Sequence, residues 1–129
     1  MAVTASPRTA GAHGVRLRLT LRYEMQCGYA GAGPLVVTFP SALKLPARFA
    51  DGSVLLAGKP VTATVSGRRV TMTVPPHRGV LCTMVGPGSL KLTFTQAAEL
   101  TNPAHNGSYR FTATHGKRAF AARLAIKQP

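Results

Sequence analysis

Acidic side chains are almost missing from this chain. Three Asp and Glu stand against sixteen Lys and Arg in 129 residues, a formal charge of +13. Glu24, Asp51 and Glu99 are scattered and sit in unlike contexts. The two carboxylates that a hydrolase of the paired-acid type holds at a set separation therefore have no candidates. Tryptophan is absent, and the aromatics are five Phe and three Tyr, so Val, Leu and Ala must fill much of the core. Cysteine occurs twice, at Cys27 and Cys82. That separation excludes a CxxC redox pair, and no neighbouring histidine completes a zinc motif. No apolar run approaches the ~20 residues of a membrane helix. The first thirteen residues are too polar for a signal peptide, although one removed earlier would leave no trace.

What is present is alternation. From Val15 to Met25, the apolar Val15, Leu17, Leu19, Leu21, Tyr23 and Met25 interleave with Arg16, Arg18, Thr20, Arg22 and Glu24. Period-two patterning puts one set on each face of a strand, with an apolar face and a basic face. The pattern recurs along the chain. Val61, Ala63 and Val65 lead through Ser66, Gly67 and Arg68 into Val70, Met72 and Val74, a β-hairpin signal. Leu90, Leu92 and Phe94 share one phase, and so do Tyr109, Phe111 and Ala113. Phe120, Ala122, Leu124 and Ile126 supply a last apolar face, opposite an Ala-rich face that suggests cover on both sides or an abutting neighbour. Gly, Pro and Asn clusters punctuate these segments. The reading is all-β: an antiparallel Greek-key β-sandwich, immunoglobulin-like, with about eight or nine strands, crossing between sheets after Cys27 and after Thr95.

Residues 1–13 show no sustained periodicity and read as a flexible leader or linker, leaving 14–129 as one sandwich domain. The even cysteine count predicts a Cys27–Cys82 disulfide joining distant strands, which implies an oxidising, extracytoplasmic setting. Its loop of about 55 residues would add roughly 2–4 kcal/mol.

Catalytic and metal chemistry find little support. His13, His77, His105 and His115 fall outside the predicted strand interiors, with no short metal-ligand spacing. Met25, Cys27, Met72, Cys82 and Met84, with His77, form a sulfur-rich set of the kind that suits copper(I). Met25 and Met72, however, occupy apolar phases, where methionine fills core gaps. No serine sits in a hydrolase elbow, and Gly86-Pro87-Gly88 lacks the lysine of a phosphate loop. No lysine is placed to form a buried Lys–Asn cross-link. The reading is therefore a non-enzyme with no cofactor and no metal.

Charge is the one feature above background. Arg16, Arg18 and Arg22 project from one side of a strand, and Arg69, Lys91 and Arg110 lie in the polar phases of others. Sharing one sheet, they would form an Arg/Lys/Thr face able to contact phosphates or carboxylates. Aromatics that could stack on bases are scarce, with Tyr29 the one exposed candidate. Because the basic residues are spread over many strands, the sequence favours a charge that recognises nothing in particular. On that reading, reversing Arg16, Arg18 and Arg22 weakens retention on polyanions no more than reversing Arg48 or Lys117.

The run Leu100-Thr101-Asn102-Pro103-Ala104-His105-Asn106-Gly107-Ser108-Tyr109-Arg110-Phe111 resembles the Asn-Pro…Gly-x-Tyr turn-and-strand of bacterial and archaeal extracellular immunoglobulin-like or adhesin-like β-sandwich modules. Leu90 to Thr95 and Leu56-Ala57-Gly58-Lys59 fit the same pattern, over roughly residues 34–127. The resemblance implies a structural or protein-interaction module of a secreted or cell-envelope protein, with a protein or envelope component as partner. It carries over no catalytic residue. The alternative is a module binding an anionic polymer, nucleic acid or acidic glycan, through the basic face. Oligomeric state is not legible.

Overall fold

The computed structural model describes residues 1–23, 33–74 and 88–129. Ten strands follow one another: β1 Ala2–Ser6, β2 Arg16–Tyr23, β3 Gly33–Thr38, β4 Val54–Leu56, β5 Lys59–Pro60, β6 Thr64–Ser66, β7 Arg69–Val74, β8 Gly88–Phe94, β9 Gly107–His115 and β10 Arg118–Ile126. A single 3₁₀ turn, Gln96–Ala98, stands between β8 and β9. The strands form two antiparallel sheets of five, ordered β1-β2-β8-β4-β5 and β10-β9-β3-β7-β6. The chain crosses between sheets after β2 and after β8, where crossings were expected, and also after β3, β5 and β7.

Alternation decides which side chains face inward. On the first sheet Leu17, Leu19, Leu21, Leu90, Leu92 and Phe94 are buried, and on the second Leu35, Val37, Val70, Met72, Val74, Phe111 and Ala113. Each large apolar side chain taken from water contributes about 1.5–3 kcal/mol. Phe39, just past β3, ties the layers together. Its ring meets Phe94 and Phe111 edge-on, with centroids 5.3 Å apart in both pairs. Met72 is buried among these residues, so it serves packing, as its phase indicates.

Tight turns set the register. Leu56 pairs with Lys59 around Ala57 and Gly58, whose φ values are 53° and 80°. Two consecutive residues in the left-handed region are the mark of a type I′ hairpin, whose twist matches its strands. Ser66 pairs with Arg69 around Gly67 and Arg68, the turn that the sequence predicts. His115 pairs with Arg118 around Gly116 and Lys117.

Three expectations need correction. Residues 1–13 do not stand apart as a leader: Ala2–Ser6 pair with Arg16–Thr20 along their whole length, placing Val3 in the core. The next residues are held as well, for Ala10 N–H donates to the Lys127 carbonyl and Lys127 N–H to that of Arg8. This strand and the two-residue β5 raise the count to ten among the described residues. The Ala-rich side of β10 is open, with Ala119, Ala121 and Ala125 exposed. Small side chains there reflect an outer face that nothing in the described chain covers. Finally, His115 is buried at the end of β9, 2 % exposed, where a turn residue was expected.

Candidate functional site

The six basic candidates all point to solvent, but the sandwich divides them. Arg16, Arg18 and Arg22 on β2 and Lys91 on β8 share the outer face of the first sheet, because these strands are neighbours. Arg69 on β7 and Arg110 on β9 lie on the outer face of the second, two strands apart with β3 between them. The single face combining all six does not form.

The first-sheet residues are ordered by register. Arg18 stands opposite Thr93, Thr20 opposite Lys91, and Arg22 opposite Ser89. Lys91 therefore fills the step that Thr20 leaves without charge on β2. Every second residue along a strand advances about 6.8 Å. Arg16, Arg18, Lys91 and Arg22 thus form a staggered row, one cation per step, over about 20 Å. The β4–β5 hairpin walls one side: Leu55 pairs with Thr93, and at the Ala57–Gly58 turn the Ala57 N–H donates to the Lys91 carbonyl at 2.8 Å. Between wall and row lies an open groove of about 510 Å³, lined by Arg16, Arg18 and Lys91 with the hydroxyls of Ser89 and Thr93. Arg16 also borders a second hollow of about 460 Å³, with Ser6, Thr95 and Gln96.

No described residue pairs with the side chains of this row. Among the described residues the acids are Asp51, before β4, and Glu99, after the 3₁₀ turn, and neither lines either hollow. Asp51 instead borders a hollow of about 240 Å³ beside Phe49 and Val61. The two carboxylates stand on different connections. Among the described residues no aromatic ring lines the groove.

The second sheet presents a different surface. Thr38, Thr71, Thr73, Thr112 and Thr114 occupy its outer positions, so Arg69 is set among hydroxyls. Arg110 and Arg123 are register partners, two cations facing each other across β9 and β10.

Among the described residues no group of three His, Cys, Asp or Glu is arranged to hold a metal ion. His13 Nδ1 lies 3.1 Å from Thr101 Oγ1 in an exposed contact. Cys27, Cys82, Met25, Met84, His77 and Tyr29 lie outside the described residues, and so does the proposed disulfide.

Sequence reasoning missed Ser89, Thr93 and the Leu55–Gly58 wall. Their polar or turn character was visible, but only the β2–β8 and β8–β4 registers bring them beside the row of cations. The Gly-x-Tyr motif, by contrast, has a structural use. Tyr109 Oη donates to the His105 carbonyl at 2.7 Å, four residues upstream, as in the tyrosine corner of immunoglobulin-like sandwiches.

No protein-family model matches the chain, and no curated protein matches it by sequence. Solved structures do resemble its fold. BslA, described as a bacterial hydrophobin, superposes with a TM-score of 0.59 at 19% identity, covering 99% of this chain and 98% of its own. The N-terminal domain of the Streptococcus gordonii adhesin Sgo0707 gives 0.57 at 13% identity, covering 99% of this chain and 32% of that one. The group B streptococcus pilus 2b backbone protein gives 0.48 at 14% identity, covering 97% of this chain and 56% of that one.

Proposed function

We propose that this chain is a non-enzymatic, extracytoplasmic structural or protein-interaction module of a secreted or cell-envelope protein. The observation carrying this reading is the end-to-end coincidence of its fold with a bacterial hydrophobin chain, both covered almost completely. A similar fold in a streptococcal adhesin domain supports the same class of role. No described helix is long and apolar enough to cross a membrane. The partner is then a protein or another envelope component, met through an exposed surface.

Co-sedimentation of the purified chain with isolated cell envelopes of its source tests the reading. Saturable association in near-physiological salt is expected. A chain that stays in the supernatant at every envelope concentration contradicts an envelope-interacting role.

A further inference from the structure

We propose that the outer face of the first sheet binds an acidic polysaccharide, its anionic groups taken one per step by Arg16, Arg18 and Lys91 in the groove and by Arg22 at the end of the row beyond it. The row is a product of the fold rather than of composition. Three of its cations come from β2, and the fourth arrives from β8 at the step where β2 carries Thr20. Clustering four like charges, with no partner among the described residues, on one sheet face is electrostatically unfavourable, and an anionic partner relieves that repulsion. Arginine presents a planar fork that takes a carboxylate or sulfate through two parallel hydrogen bonds. Ser89 and Thr93, between the cations, offer hydroxyls of the kind that bridge to sugar hydroxyls. The groove is open along its length, which suits a chain passing over it better than a small molecule enclosed within it.

The choice of a glycan over nucleic acid has two grounds. Surfaces that bind single-stranded nucleic acid combine cations with aromatic platforms for the bases, and no described aromatic residue lines this groove. The second ground is the extracytoplasmic reading above, on which this choice rests. The second sheet supplies an internal control. Arg69 and Arg110 are exposed, like Arg18 and Lys91, but β3 separates their strands, threonines surround Arg69, and Arg110 faces Arg123.

The test compares two double variants of equal charge, Arg18→Gln with Lys91→Gln and Arg69→Gln with Arg110→Gln, in the full chain. Binding to polygalacturonate is measured by calorimetry over a series of salt concentrations. The groove pair is expected to weaken binding about tenfold or more and to flatten the salt dependence, whereas the second-sheet pair changes affinity less than about twofold. The charge-preserving pair Arg18→Lys with Lys91→Arg retains most of the affinity, which separates loss of charge from damage to the sheet. Equal losses from the two Gln pairs, or no measurable binding by the parent chain, overturn the groove. Tighter binding of an oligodeoxythymidylate than of polygalacturonate, at matched charge and salt, overturns the glycan assignment. Envelope association through another surface survives any of these results, so the two readings fail separately.

Discussion

Asn102 Nδ2 donates to the carbonyl of Thr9 at 2.9 Å, joining segments 93 positions apart in the chain. The same nitrogen donates to the Pro7 carbonyl at 2.9 Å, and Asn102 N–H donates to Ala12. One buried amide thus fastens the segment that follows β1 to the connection that precedes β9. Both Nδ2 hydrogens are used, while Oδ1 is buried with no partner. Exchanging the amide's oxygen and nitrogen would turn an acceptor toward two carbonyls, so the hydrogen bonds fix its orientation.

Asn102→Ala should cost about 1–3 kcal/mol, because it leaves the two carbonyls without their donor. Urea unfolding measures the loss. Asn102→Asp should be worse near neutral pH than in mild acid. A buried carboxylate facing two carbonyl oxygens is disfavoured, which raises its folded-state pKa above the unfolded value. An acid with a raised folded pKa binds more protons in the folded state, so stability falls as pH rises through the interval between the two values. Midpoints collected from pH 4 to 8 should therefore diverge from the parent as pH rises. A constant difference across that range contradicts the proposed geometry.

Phe39→Ala should cost about 3–5 kcal/mol, since it removes the ring set between Phe94 of one sheet and Phe111 of the other. Phe39→Leu should cost distinctly less, because it keeps most of the volume and loses the edge-on ring contacts. Chemical denaturation of both variants checks the order. A loss below 1 kcal/mol for the alanine variant would place the inter-sheet contact elsewhere.

Arg123→Glu should stabilise the domain by roughly 0.2–1 kcal/mol, replacing the like-charge Arg110–Arg123 pair with an opposite-charge one. The gain should shrink in 1 M salt, where exposed charges are screened. An unchanged midpoint at low salt would mean that the two guanidinium groups splay apart in solution.

The disulfide prediction draws on positions that frame the two undescribed segments. Tyr23 and Gly88 are register partners at the end of β2 and β8. Cys27 follows Tyr23 by four residues and Cys82 precedes Gly88 by six, reaches of roughly 14 and 20 Å of extended chain. Those reaches allow the two thiols to meet. Intact mass should rise by about two hydrogens on reduction, and alkylation without reductant should modify neither cysteine. Two alkylated cysteines in the untreated chain would rule the bridge out.

The strand faces were legible in the sequence because period-two patterning depends only on a strand's own residues. Leu17, Leu19 and Leu21 proved buried, and Arg16, Arg18 and Arg22 exposed. Strand β1 was not legible. Ala2–Ser6 holds one large apolar residue, Val3, and its reason to be a strand lies in the edge offered by β2. The row on the first sheet was half legible for the same reason. Phase says which face of its own strand Lys91 occupies, whereas membership in the row needs the pairing of β8 with β2. A one-residue slip in that register would send Lys91 toward the core. Arg69 and Arg110 carry identical phase signals and belong to the other sheet.

Exposure on the cell exterior is the claim tested most directly by labelling intact source cells with a membrane-impermeant amine reagent. Lys59, Lys91 and Lys127 are all exposed in the folded domain, so accessibility of the reagent alone decides whether they react. An extracytoplasmic module should show these lysines modified on intact cells to about the same extent as after lysis. Modification confined to lysed cells, with a surface protein labelled as the positive control, would contradict an extracytoplasmic role for this chain.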